Sequence, residues 1–152
     1  MTSDKLGPAK LSQAKPSQKA LDTIANLRQA LSRLEEGLAK TELSYLEKAG
    51  VIKTFEFVYE LTWTSLKLLL EAQGHVTQSA RQAFSLAYNL GWIQNDEVWA
   101  AMIKDRNLTV HTYDEEFATI TEGKVRSKYF PLFKQTLKMI DEQVWGLGKK
   151  LS

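Results

Sequence analysis

Apolar residues recur along this chain at helical intervals. Leu21, Ile24, Leu27, Leu31, Leu34 and Leu38 follow one another at steps of three and four, which predicts a first helix with a leucine-rich side. A second helix is predicted from about Thr41 to Gln73, with Gly50 as its bend point and Gly74 placed to end it in a left-handed cap. Its stripe is Ile52, Phe55, Tyr59, Thr62, Leu66 and Leu69, widened by Val51, Val58 and Leu70, so this helix is expected at the centre of the fold. Ser79 and Gln82 have capping-box spacing ahead of Ala83, Phe84, Ala87 and Leu90, which predicts a short third helix before Gly91. Asn95 is the expected cap of a fourth, with Asp96 and Glu97 in its first turn and Trp99, Met102 and Ile103 on its apolar side. Beyond a polar stretch from Thr109 to Asp114, a last helix runs from about Glu115 toward Leu147. Pro131 marks a kink or break in it, and Phe133, Leu137, Ile140, Val144 and Leu147 form its stripe.

No segment alternates like a strand and no repeat is present, so the expected fold is all-α, an antiparallel up-and-down bundle of four to five helices. Residues 1–16, with Gly7, Pro8, Pro16 and several Lys, read as a flexible basic tail, and 17–150 as one domain. The apolar arcs are wide, and Phe55, Phe57, Tyr59 and Trp63 spread around the second helix, which predicts a homodimer.

Composition narrows the function. A chain of 152 residues, 43% hydrophobic, can close one core without a disulfide or a metal, and it has no Cys. That excludes a disulfide scaffold, a Cys-ligated zinc site, an iron–sulfur cluster and a thiol nucleophile, and it agrees with a cytoplasmic setting. No stretch suits a membrane span, and the first twenty residues lack the apolar run of a signal peptide. Net charge is only +2, yet residues 96–122 hold two basic and seven acidic residues while 123–152 hold seven basic and two acidic. No nucleic-acid-binding stripe stands out, although the basic C-terminal segment can supply a phosphate-attracting face.

GxxxxGK, GxGxxG, HExxH and GxSxG are all absent. The chain has two histidines, His75 and His111, and neither has a Glu three residues before it, so neither a metal nor another cofactor is predicted. His75, just after Gly74, suits a structural place at a helix C-terminus. The chemistry is concentrated in residues 104–114, KDRNLTVHTYD. Continued at 100° per residue, the fourth helix would put Trp99, Ile103, Arg106, Val110 and Tyr113 on one face, with Asn107 and His111 on a neighbouring one.

An arginine on an apolar stripe needs a partner: a carboxylate such as Glu56 or Glu60, a second copy of the chain, or an anionic ligand. Glu56 and Glu60 can equally form a surface ladder with Lys53 and Lys67. In a continuous helix Arg106 and His111 would lie about 140° apart, so either the helix ends between them or the site is shared across a two-fold seam. Histidine, with an ordinary pKa near about 6.5, moves protons, and arginine holds phosphate charge. Together they can cleave RNA without metal by setting a ribose 2′-hydroxyl against the adjacent phosphate. Tyr113 by itself suits a half-buried packing residue.

Arg106-x4-His111-x-Tyr113 resembles the RX4HXY motif of the HEPN superfamily, in particular the HepT toxin family, also known as nucleotidyltransferase substrate-binding proteins. DRNLTVHTYDEE, residues 105–116, is similar to the family's DRNLTSHTYDEE. VIKTFEFVYELTW, residues 51–63, resembles VIQRFEFTYELAW, and YFPLFK, residues 129–134, resembles YYPLLK. The resemblance covers roughly 20–145, with Lys53-Thr54 in place of the usual Gln-Arg and Val110 in place of Ser.

It implies a dimeric helical bundle and a minimal nucleotidyltransferase antitoxin encoded beside it. It also implies metal-independent ribonuclease activity on RNA, with Arg106 and His111 catalytic; Asp105 and Asn107 beside them, and Glu56 and Glu60 as carboxylate partners, are the candidate supporting residues. Tyr113 would be adenylylated by the partner. The older view of the family implies instead a non-catalytic substrate-binding subunit of a two-chain nucleotidyltransferase. Without an Asp-x-Asp pair the chain is not itself the transferase.

Overall fold

The computed structural model describes residues 15–151, with side chains described through Trp145. Most of the predicted basic tail and the side chain of Leu147 lie outside the described residues. Among the described residues six α-helical segments follow in order: α1 (Gln18–Leu38), α2 (Tyr45–Ala72), α3 (Ala80–Asn89), α4 (Asp96–Leu108), α5 (Glu115–Lys124) and α6 (Phe130–Leu151). A 3₁₀ turn (Thr109–His111) follows α4, and a π turn (Val125–Tyr129) joins α5 to α6 into one rod. The fold is an all-α bundle with no strand among the described residues.

Each boundary has a local cause. The Ser17 hydroxyl accepts from the Ala20 amide and starts α1. α2 begins at Tyr45, later than the apolar pattern predicts, because Ser44 and Glu47 close a reciprocal capping box there. It continues through Gly50 without interruption. Gly74, at φ 88°, ends α2: its amide donates to the Glu71 carbonyl and the His75 amide to the Leu70 carbonyl. Gly91, at φ 79°, ends α3 in the same way, with Trp92 bonding back to Ala87.

Ser79 caps α3, but Gln82 reaches back to the amide of Gln78 rather than to that of Ser79, so the box is displaced by one residue. Asn95 departs from expectation. It occupies the cap position of α4 in a left-handed conformation, φ 64°, and its side chain makes no capping bond. That geometry turns the amide away from the first turn and leaves Asp96 and Glu97 to meet the helix dipole.

Pro131 acts one turn upstream of itself. It cannot donate to Ser127, and its ring crowds that carbonyl; the chain widens just before it, with the Phe130 amide bonding to Val125, five residues back.

α2 is central, packing against α1, α3, α5 and α6. Its Phe55 and Tyr59 enter an aromatic cluster with Phe84, Trp99, Tyr129 and Phe133. Phe55 and Tyr129 stack with centroids 5.6 Å apart, and Phe84 meets Trp99 at 4.3 Å. Burial of each such side chain contributes about 1.5–3 kcal/mol. Trp99, Met102 and Ile103 thereby fix the rotation of α4, which decides where its last turn points. No helix among the described residues is long and apolar enough to cross a membrane.

Candidate active site

With Trp99 and Ile103 anchored, the consecutive residues Asp105 and Arg106 diverge by about 100° around α4. Asp105 turns to the last rod, where its carboxylate accepts the Tyr129 hydroxyl and lies 3.4 Å from Lys124 Nζ. Burial first, and then this contact with Asp105, push the Tyr129 phenol well above its ordinary range. Arg106 turns to α2 and meets both candidate glutamates: Nη1 lies 3.7 Å from Glu56 Oε2, and Nε lies 3.6 Å from Glu60 Oε2. These are ion-pair distances, too long for hydrogen bonds. Nη1 donates to Thr109 Oγ1 at 3.1 Å, while Nε is buried with no acceptor.

The carboxylates are partly engaged elsewhere. Glu56 pairs with Lys53 at 3.3 Å, and Glu60 accepts the Trp63 indole N–H at 2.9 Å. Beside them Tyr59 has its pKa pushed up to about 12, mainly by burial and then by the charge of Glu60, against an opposing pull from Arg106 and Arg81. Lys67 pairs with Glu71 and takes no part. Thr54, where the HEPN resemblance has arginine, bonds its own helix at the Gly50 carbonyl.

The helix does end between Arg106 and His111. Thr109 Oγ1 donates to the Arg106 carbonyl at 2.8 Å, and the backbone tightens into the 3₁₀ turn. The apolar face therefore stops at Ile103: Val110 is 70% exposed and Tyr113 75% exposed. Of the two alternatives the helix end is the one realised, so the projected face from Trp99 to Tyr113 does not form, and Tyr113 is not half-buried packing. His111 is exposed, with Nδ1 3.1 Å from the Tyr113 hydroxyl and its ring edge-on to Tyr113 and Phe117. Asn107 is exposed on the last turn of α4. His75 is half-buried just after the cap of α2.

Thr109, Thr112 and Tyr45 were not among the sequence candidates. Thr112 Oγ1 donates to the Thr109 carbonyl at 2.7 Å, and the Tyr45 hydroxyl donates to the Thr112 carbonyl at 2.9 Å from 67 residues away. The threonines fall within the motif and could have been suspected from it. Tyr45 has no local signal. Among the described residues no group of three or more His, Cys, Asp and Glu could hold a metal.

The family described as nucleotidyltransferase substrate binding protein like matches residues 22–142. A Haemophilus influenzae protein named "Probable ribonuclease HepT" is 36% identical over 82 residues, 51% of this chain and 56% of the relative. The match thus spans little more than half of that relative's length. The crystal structure of a Thermus thermophilus protein superposes with a TM-score of 0.63 at 28% identity, covering 79% of this chain and 96% of that one. The family match contains α2, the Arg106–Tyr113 segment and the π turn together. The chain belongs to the nucleotidyltransferase substrate binding protein-like family and is a HepT-like protein of the HEPN superfamily.

Proposed function

We propose that the chain is a HEPN-type toxin, a metal-independent endoribonuclease that works as a homodimer and is silenced by adenylylation of Tyr113 by a partner minimal nucleotidyltransferase. The observation that carries the reading is the exposed His111–Tyr113 pair, set just beyond the helix end that carries Arg106. With Nδ1–H donating to the phenol oxygen, Nε2 of His111 keeps its lone pair and takes the proton of a ribose 2′-hydroxyl. The 2′-oxygen bonds to the adjacent phosphorus, and the bond from phosphorus to the 5′-oxygen breaks. A protonated imidazole, on the same or the second copy, supplies the proton that the leaving oxygen takes up. Arg106 meets the charge that develops on the phosphoryl oxygens. The exposed Leu108, Val110 and Tyr113 give a second copy apolar surface to cover and so support the dimer. Adenylylation would put a phosphate beside His111, since the phenol oxygen is what Nδ1 touches, and would exclude the RNA backbone by charge and bulk.

Purified protein should cut RNA in EDTA and leave 2′,3′-cyclic phosphate ends, and His111→Ala should lose about 10²-fold or more of that activity while staying folded. Cleavage that survives both Arg106→Ala and His111→Ala would belong to a contaminant. With the cognate nucleotidyltransferase, Mg²⁺ and ATP, the peptide holding Tyr113 should gain AMP by mass spectrometry, and Tyr113→Phe should not. The second reading, a non-catalytic subunit of a two-chain nucleotidyltransferase, is favoured by one observation: Glu56 and Glu60 already flank Arg106 and offset the charge a phosphodiester would seek. Intact RNA together with tight binding of the transferase would decide for it.

A further inference from the structure

The segment from Thr109 to Asp114 has little apolar anchorage. Only Thr109 is buried, and Val110, His111, Tyr113 and Asp114 are exposed. Its shape therefore rests on hydrogen bonds. Those within the segment run from the Thr109 hydroxyl to the Arg106 carbonyl, from the Thr112 hydroxyl and amide to the Thr109 carbonyl, and from the Asp114 amide to the His111 carbonyl. Another comes from far along the chain, from the Tyr45 hydroxyl to the Thr112 carbonyl. That carbonyl belongs to the residue between His111 and Tyr113, so the contact bears on both side chains.

The donor is itself held firmly. Tyr45 is the first residue of α2, and the turn it opens is closed by the Ser44–Glu47 capping box. Glu47 is further held by Lys40 at 2.8 Å. One position along from Glu47, Lys48 Nζ donates to Thr119 on α5 at 2.9 Å. The first turn of α2 is thus joined to the exposed segment at Thr112 and to α5 beyond it at Thr119.

We infer that Tyr45 is a positioning residue for the candidate site, its hydroxyl holding the Thr112 carbonyl so that the His111 imidazole is presented in one orientation. The inference rests on the ribonuclease reading for its kinetic consequence, but not for its structural one. Without the hydroxyl the Thr112 carbonyl passes to water, so the fold keeps its stability while the imidazole samples more than one orientation. Catalysis is sensitive to such looseness, because an ångström of misplacement costs about 10²-fold.

The test is Tyr45→Phe in the full chain, which removes one oxygen and keeps the ring. Against a fluorophore-labelled mixed-sequence RNA in EDTA, kcat should fall about tenfold with KM held within about twofold. The chain has only two histidines, so the imidazole signals of His75 serve as an internal reference for those of His111 in a proton–nitrogen NMR spectrum. The His111 signals should move or broaden while those of His75 stay in place and the melting temperature is unchanged. Unmoved His111 signals would overturn the inference, as would both histidines moving together with a lowered melting temperature. A raised KM at constant kcat would also overturn it, since that is the mark of a direct RNA contact. If wild-type protein leaves the RNA intact, the ribonuclease reading fails, and the imidazole signals still decide the tether.

Discussion

The aromatic cluster and the Arg106–Asp114 segment are joined by α4 and are held in opposite ways. Around Phe55 the chain is fixed by six aromatic side chains packed from α2, α3, α4, the π turn and α6. Beyond Arg106 it is fixed by hydrogen bonds of Thr109, Thr112, the Asp114 amide and Tyr45, with Val110, His111, Tyr113 and Asp114 exposed to solvent. The first arrangement spreads its hold over many apolar contacts; the second rests on a few hydrogen bonds at an exposed end. The teaching of the contrast is that α4 serves as a lever: its buried half is rotated by packing, and its free end carries reactive groups without sharing in the stability of the core.

The strongest way to break the comparison is Phe55→Ala. Its ring is fully buried at the centre of the cluster, and the substitution should cost about 3–5 kcal/mol, read as a lower denaturation midpoint with the slope retained. Next is His111→Ala, for which the comparison demands the converse: about 10²-fold or more loss of RNA cleavage and no change in melting temperature. A large loss of stability there would erase the distinction between the two regions.

Alkaline pH sharpens the comparison from the side of the core. Tyr59 titrates at about 12 in the folded state against an ordinary 10.0, so between those values the unfolded chain gives up a proton that the folded one keeps. Its contribution is fully present below pH 10, declines above it and stops changing beyond about 12. Tyr59→Phe should flatten that part of a stability–pH curve measured by urea unfolding. The smallest effect is expected at Gly74→Ala. No atom lies within 4 Å of the added methyl, so the cost is the left-handed backbone alone, about 1 kcal/mol by urea unfolding.

Most of the bundle is legible as periodicity. The α1 stripe from Ile24 to Leu38 is buried as spaced, and Gly74 and Gly91 end their helices where the pattern stops. Leu21 is only half-buried, with Ala20 taking its place against the core. What periodicity could not foresee is where a helix stops without a glycine or proline. Whether the helix ends between Arg106 and His111 stays open in the sequence because no glycine or proline stands there; the ending is made by Thr109, whose hydroxyl takes its own helix's carbonyl. The partners of Arg106 were legible as a choice of Glu56 or Glu60, and the fold brings up both, because 3.6 and 3.7 Å ion pairs need no exclusive geometry. Asp105 could not be oriented from sequence at all. Its partner Tyr129 arrives only through the π turn, whose extra residue per turn no regular period contains.

That π turn also carries Arg126, whose guanidinium donates to the carbonyls of Leu38 and Lys40 and pairs with Glu122. The C-terminal end of α1 is therefore finished by a residue 88 positions downstream of Leu38. On a ribosome, α1, α2, α3 and α4 have all been made before the group that closes the first of them exists. Until then the Leu38 and Lys40 carbonyls have only water to accept from, so the end of the first helix is completed together with the last rod.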